Sequence, residues 1–335
     1  MTSDVFVVEP KASPDLPDEM PFPKSWTANS LSQDDYLISL PSAAWAELQV
    51  IANALDEDIE VADILRLSPE DHELAACRAL MTEVKQVLDE GPGLAVVDRI
   101  AIDAVGRRRA TALYWLLGSL LGRPVSQNYD GLRLYDVRDS GKTHGNGVRG
   151  SVTNVELYYH TDNSYGLMPP QYIGLLCLQT AKEGGDSRLI SWAEVYKRLR
   201  ERDPELAMRG YQGVLFDRQK EHGSDDPMVI SKPPFRRVGT GIGVSYSSRL
   251  MRTGYKMAGQ EIDPDTLRFL DTVDEIIYDD EMQVRLMFER GQMQFINNAR
   301  VGHARGGFTD HDDPELRRHL VRLWFREYGG TSYDG

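Results

Sequence analysis

Two histidines and an aspartate dominate the chemistry available to this chain. His160 and Asp162 stand two positions apart around Thr161, and His303 follows far downstream. On a strand, residues i and i+2 point to one face, so the spacing predicts that His160 and Asp162 grip one ion while Thr161 faces away. Two neutral imidazoles and one carboxylate form the facial triad that holds non-haem Fe(II) and leaves coordination positions open for a co-substrate and O2. The third ligand then has to come from a second strand. The remaining histidines, His72, His144, His222, His311 and His319, lie in helix, strand or loop patterns without such partners.

Four blocks surround these residues. The segment Thr153-Asn-Val-Glu-Leu-Tyr-Tyr-His-Thr-Asp-Asn-Ser164 resembles the metal-binding strand of the taurine dioxygenase and clavaminate synthase-like family of Fe(II)/2-oxoglutarate oxygenases. The likeness continues through Gly184-Gly-Asp-Ser187, where the family usually has Gly-Gly-Asp-Thr, and through residues 291–308 (GQMQFINNARVGHARGGF). It closes with residues 317–325 (RRHLVRLWF), so that it covers roughly residues 130–327 in the family's order.

The resemblance implies 2-oxoglutarate as co-substrate, chelating the iron and leaving its 5-carboxylate to be held elsewhere. A carboxylate suits a guanidinium fork. Arg318 follows His303 at the family's spacing and is the expected partner. Ser187 stands where the family's threonine donates a hydroxyl to the same group, and serine keeps that hydroxyl. Alternation along the strand puts Arg318 and Arg322 on one face and Arg317 on the other. Arg322 resembles the position that meets that carboxylate or an acidic group of the substrate, and the substrate is the expectation here. Arg305, in His-Ala-Arg, is expected to organise the surroundings of the ligands or touch substrate. Asn297 and Asn298 are expected to shape the turn that presents His303. Tyr158 is placed in the pocket, and Glu156 or Asp225 opposite a substrate amine.

The expected activity is hydroxylation of an unactivated C–H of a small, amino-acid-like molecule, with release of succinate and CO2. Desaturation or ring closure by the same chemistry is the alternative. A halogenase lacks the carboxylate that Asp162 supplies. A zinc hydrolase has no need of Arg318 and Ser187, and a jelly-roll binding module has no need of the triad.

The elements that position these groups follow from periodicity. Apolar residues at three- and four-residue steps predict helices over 43–55, 69–90, 104–121 and 264–278. In the second, Ser68, Pro69 and Asp71 read as a cap, first helical position and capping box. A short strand is expected over 94–98. From about residue 131 the period becomes two, with strands over 131–135, 155–160, 172–179, 187–191, 212–217, 241–246, 284–289, 292–297 and 319–326. Helices followed by many antiparallel strands predict a mainly β fold with flanking helices, a double-stranded β-helix or jelly roll with the metal in its mouth. Its core is expected over about 92–327, within one domain spanning 31–335, behind an extended proline-rich segment over 1–30. The polar stretch 217–235 reads as a loop or lid. Gly239–Gly243 reads as a turn, and Gly141-Lys142-Thr143 lacks the upstream glycine of a phosphate loop.

Composition narrows the partners. A net charge of −14 disfavours nucleic acid and anionic membranes, which need a basic surface. Two cysteines, Cys77 and Cys177, build neither a disulfide framework nor a thiolate metal site, which suits a reducing cytoplasm. No apolar run approaches the roughly 18 residues that span a bilayer, and the N-terminus carries no secretory signal. The expected partner is a small molecule, and homo-oligomerisation is compatible with this composition.

Overall fold

The computed structural model describes residues 5–7, 24–141, 150–238 and 241–333. Two sheets pack face to face. The larger runs Leu37–Ser39, Leu94–Asp98, Met293–Asn297, Tyr172–Gln179, His319–Arg326 and Arg123–Val125, with Tyr135–Val137 pairing the other half of His319–Arg326. The smaller runs Val284–Leu286, Ser187–Ser191, Val301–Arg305 and Leu157–His160. All these ladders are antiparallel except that between Leu37–Ser39 and Leu94–Asp98.

Strand alternation divides the interior. On His319–Arg326, Val321, Leu323 and Phe325 pack into a core shared with helices Ala75–Asp89 and Arg107–Leu121. The residues of opposite parity, Arg318, Leu320, Arg322 and Trp324, face a cavity between the sheets. Each large apolar side chain buried in this way contributes roughly 1.5–3 kcal/mol. Tyr172–Gln179 is apolar on both faces because one meets those helices and the other the cavity. Gly174 permits a close approach: a Cβ there would lie 2.3 Å from Tyr114 Oη and 3.1 Å from the rings of Phe295 and Phe325.

Behind the smaller sheet lie helices Trp192–Arg202, Ser248–Ala258 and Pro264–Ile277, together with a sheet of Val5–Val7, Val229–Lys232 and Val214–Asp217. Ser191 and Asp263 cap two of these helices by accepting hydrogen bonds from Glu194 N and Thr266 N. Helices make up 36% of the described residues, so they carry more of the fold than a mainly β description allows.

Several expectations need correction. The helix expected over 69–90 is a 3-10 turn, Pro69–Asp71, followed by Ala75–Asp89. Ser68 Oγ donates to Glu70 rather than closing a helical box. The strand expected over 131–135 is Tyr135–Val137. The stretch 217–235 contains the strand Val229–Lys232, and Val5–Val7 pairs with it, so neither that stretch nor the N-terminal segment is wholly irregular. Residues 1–4, 8–23, 142–149 (with Lys142, Thr143 and His144) and 239–240 lie outside the described residues. Among the described residues no helix is long and apolar enough to cross a membrane. Both cysteines are free and buried.

Candidate active site

Strand pairing brings the first two ligands together. Leu157–His160 and Val301–Arg305 run antiparallel with His160 opposite His303, and the ring centroids lie 4.3 Å apart. The strand ends at His160, so Asp162 is not its next same-face residue. Instead Thr161 N donates to Tyr246 O at 2.9 Å, and Tyr246 N donates to Thr161 Oγ1 at 3.0 Å. Asn298 then clamps the turn: its Oδ1 accepts from Asp162 N, and its Nδ2 donates to Asp162 O, both at 2.9 Å. Asn298 thus positions Asp162 as well as the turn before His303.

Asp162 Oδ1 lies 3.3 Å from His160 Nε2 and 3.5 Å from His303 Nε2. The three ligand atoms fall within 4.8 Å of one another. Ligand bonds of about 2.1 Å put adjacent ligand atoms about 3 Å apart, so one ion fits between them with little adjustment. His160 Nδ1 sits 2.9 Å from Tyr158 O, which places the proton on Nδ1 and frees Nε2 for a metal. Burial and the neighbouring His160 lower the pKa of His303, which keeps its imidazole neutral and able to ligate.

The outer oxygen of Asp162 is fully engaged. Trp324 Nε1 donates to Oδ2 at 2.7 Å, and Arg322 Nη1 lies 3.0 Å from the same atom. Burial works against the charge on Asp162, but Arg322 and the two imidazoles outweigh it and hold the carboxyl well below its usual range. Arg322 Nε donates to Gln127 Oε1 at 2.8 Å, and Gln127 Nε2 donates in turn to Arg322 O.

These groups open on a cavity of about 550 Å³. At one end Arg318 is 5% exposed, its guanidinium stacked 5.1 Å from the Phe308 ring centroid. Arg305 stacks on the same ring at 4.8 Å and donates to Thr153 O and Val155 O. Burial brings their pKa values down to about 10 and about 9, the latter also through repulsion from Arg318, so both remain cationic at neutral pH. Nη1 of each is buried without a hydrogen-bond partner among the described residues. Two orphaned, buried guanidinium nitrogens form a cradle suited to an anion. Ser187 Oγ also lines the cavity and donates to Gln294 Oε1 at 3.0 Å.

The other expected residues are placed less uniformly. Glu156 lines the rim but pairs with Arg188 Nη1. Tyr158 is on the rim and 63% exposed, whereas Tyr159 is buried edge-on to Tyr278. Asp225 lies in an exposed turn outside the lining, beside Ser224. Of the polar stretch 217–235, Gln219 is the residue that reaches the cavity. The sequence reading missed Trp324, Gln127 and the Ser247–Leu250 turn. Trp324 shares strand parity with Arg318 and Arg322 and was accessible from that pattern. Gln127 arrives from a distant loop and Ser247–Leu250 from the start of a distant helix, and neither carries a local signal.

Relatives were found at several distances. FR-33289 synthase of Streptomyces rubellomurinus is 30% identical over 259 residues, 76% of this chain and 75% of that protein. Taurine hydroxylase-like protein SAT17 of Stachybotrys chartarum is 25% identical over 333 residues, 92% and 79% of the two chains. Among solved structures, asparagine oxygenase in complex with Fe(II), 2S,3S-3-hydroxyasparagine and succinate matches with TM-score 0.65 at 16% identity, covering 89% of this chain and 94% of that one. The non-heme iron oxygenase OrfP in complex with Fe and alpha-ketoglutaric acid matches with TM-score 0.65 at 15% identity, covering 87% and 94%. Such identities speak to the fold. The taurine catabolism dioxygenase TauD, TfdA family profile matches residues 63–324, around the His160, Asp162 and His303 centre, and this chain therefore belongs to that family, as an Fe(II)- and 2-oxoglutarate-dependent oxygenase.

Proposed function

We propose that the enzyme hydroxylates an unactivated C–H bond of a small, amino-acid-like molecule, with His160, Asp162 and His303 as iron ligands and Arg318 as the anchor of the 2-oxoglutarate 5-carboxylate. The observation that carries this reading is the pairing, in one cavity, of the convergent triad with a buried Arg318 whose Nη1 lacks a partner among the described residues. Bound iron, 2-oxoglutarate and O2 supply an oxidant able to remove hydrogen from carbon, with succinate and CO2 as by-products.

The chain's own residues bind, orient and exclude water. Trp324 and Arg322 orient Asp162, and Tyr158 O sets the His160 tautomer. Ser187 turns its hydroxyl from Gln294 to the co-substrate carboxylate. Arg322 keeps Nη2 for a ligand, since Nε and Nη1 are engaged. Ile173, Leu175, Leu320 and Phe288 keep the cavity dry. The two facing sheets are consistent with a double-stranded β-helix core over about 92–327, within one domain spanning 31–335. The hydroxyasparagine and (3S)-hydroxy-L-Arg bound by the structural neighbours favour an amino-acid-like substrate.

The test is anaerobic titration with Fe(II) and 2-oxoglutarate, then succinate release in air with a panel of amino acids and their conjugates. Joint binding of both, with release stimulated by at least one panel member, is expected. No joint binding would sink the reading.

A further inference from the structure

We propose that the cavity holds a second anion site, made by Arg249, Ser247 and Ser164, that receives an oxyanion group of the primary substrate. The inference rests on the oxygenase reading above and assigns the substrate an acid: a carboxylate, phosphate, phosphonate or sulfonate.

The site lies where the eleven-residue helix Ser248–Ala258 begins. Ser247, Ser248, Arg249 and Leu250 all line the cavity. Ser247 occupies the cap position, yet its side chain caps no first-turn amide. That leaves the positive end of the helix available to an anion. Ser247 is 7% exposed, and its hydroxyl makes no cap hydrogen bond to the helix it precedes. Ser164 is 1% exposed and lines the same cavity, and its Oγ has no partner among the described residues, nor has Nδ2 of the adjacent Asn163. Native interiors seldom leave buried donors unpaired, and two of them in the cavity that this helix end also lines point to a ligand.

Charge bookkeeping isolates Arg249. Arg252 is matched by Asp271 and Asp274, and Glu156 is matched by Arg188. Asp274 also accepts from Tyr246 Oη at 2.9 Å and Ser248 Oγ at 2.6 Å, so its charge is committed locally. Arg322 faces Asp162, while Arg318 and Arg305 form the co-substrate end. Arg249 remains an exposed cation on the cavity wall, with no side-chain ion pair or hydrogen bond among the described residues. A guanidinium beside hydroxyl donors favours a group with several anionic oxygens.

The location relates the site to the chemistry. Tyr246, one residue before Ser247, exchanges two hydrogen bonds with Thr161, between the ligands His160 and Asp162. Ser164 stands two residues beyond Asp162. An acid held here therefore belongs to a molecule whose nearby carbon can face the triad, while Arg318 holds the co-substrate from the other sheet.

The experiment is anaerobic calorimetry on enzyme saturated with Fe(II) and 2-oxoglutarate, so that the Arg318 end is filled. The probes are O-phospho-L-serine against L-serine, L-glutamate against L-glutamine, and inorganic phosphate and methylphosphonate as bare anions. At least one acidic probe is expected to bind tenfold or more tighter than its neutral counterpart, with affinity falling as salt rises. Arg249→Gln should erase that preference and Arg249→Lys restore part of it. Ser247→Ala and Ser164→Ala should each weaken the acid several-fold. Equal binding of acid and neutral probes, acid binding indifferent to Arg249→Gln, or no anion binding at all overturns the site. If wild-type enzyme fails to take up Fe(II) and 2-oxoglutarate together, the oxygenase reading fails instead.

Discussion

Trp324 donates its indole N–H to Oδ2 of Asp162 at 2.7 Å, while Oδ1 of the same carboxylate faces His160 and His303. An indole only donates, so this bond fixes which oxygen is left for a metal and in which rotamer. Arg322 lies on the same outer oxygen, so the arginine expected to meet substrate is first a partner of Asp162.

Trp324→Phe keeps the ring and removes the donor. Loss of such an outer hydrogen bond typically costs about 10- to 100-fold in metal affinity or activity. Fe(II) affinity under anaerobic conditions should fall within that range, while 2-oxoglutarate affinity at saturating iron changes little. An unchanged iron affinity would show that packing alone holds Asp162.

His160→Ala and His303→Ala should each abolish turnover and sharply weaken iron binding, because a facial triad has no spare ligand. Asp162→Ala should also end hydroxylation while leaving a weakly iron-binding site. Iron stoichiometry by metal analysis, read beside succinate release, checks all three. A fully metallated, active His303→Ala enzyme would remove His303 from the ligand set.

Arg318→Ala should raise the 2-oxoglutarate requirement far more than that of the substrate. Truncating one partner of a buried charge pair costs about 2–5 kcal/mol, on the order of 30- to several-thousand-fold in affinity. Arg318→Lys should recover only part, since an ammonium lacks the fork. The concentration dependence of succinate release reads both, and an unshifted midpoint in the alanine variant would move the role to Arg305 or Arg322.

Arg322→Gln removes the cation that lowers the Asp162 carboxyl. Without it the carboxyl takes up a proton at higher pH, and a protonated acid is a poor metal ligand. The pH at which iron is lost on acidification should therefore rise relative to wild type, as followed by iron release during an acid titration. If the two acid limbs coincide, Trp324 and the imidazoles suffice to hold the charge.

Gly174→Ala would drive a methyl to within 2.3 Å of Tyr114 Oη between strand and helix. Overpacking of this kind costs typically about 1–3 kcal/mol. Urea unfolding should show a lower midpoint with little change in slope, and iron affinity should survive, because the face opposite the cavity takes the strain.

The ligands His160, Asp162 and His303 were legible because histidine is rare in this chain, because the His-x-Asp spacing is chemically specific, and because the blocks around them follow the family's order. The strands 172–179, 187–191 and 319–326 were legible because alternation or a continuous apolar run marks them. The start of the helix at Ala75 was not, since Ser68-Pro69-Asp71 suits a short turn as well as a helix. Val229–Lys232 was hidden in a polar stretch because its stability comes from pairing with Val214–Asp217 and Val5–Val7, residues remote in sequence.

By itself, the sequence determined the reaction class, the identity of the metal ligands and the face of the last strand that carries Arg318, Arg322 and Trp324. All of these depend on residue type and on periods of two. Only the tertiary structure decided that Asp162 sits beyond its strand, clamped by Asn298, and that Arg322 is spent on its outer oxygen. The same holds for Gln127 beneath Arg322 and for Arg249 and Ser164 brought to one cavity. These relationships join residues from tens to nearly two hundred positions apart. Their geometry is set by how sheets and helices pack against one another, which no local pattern encodes.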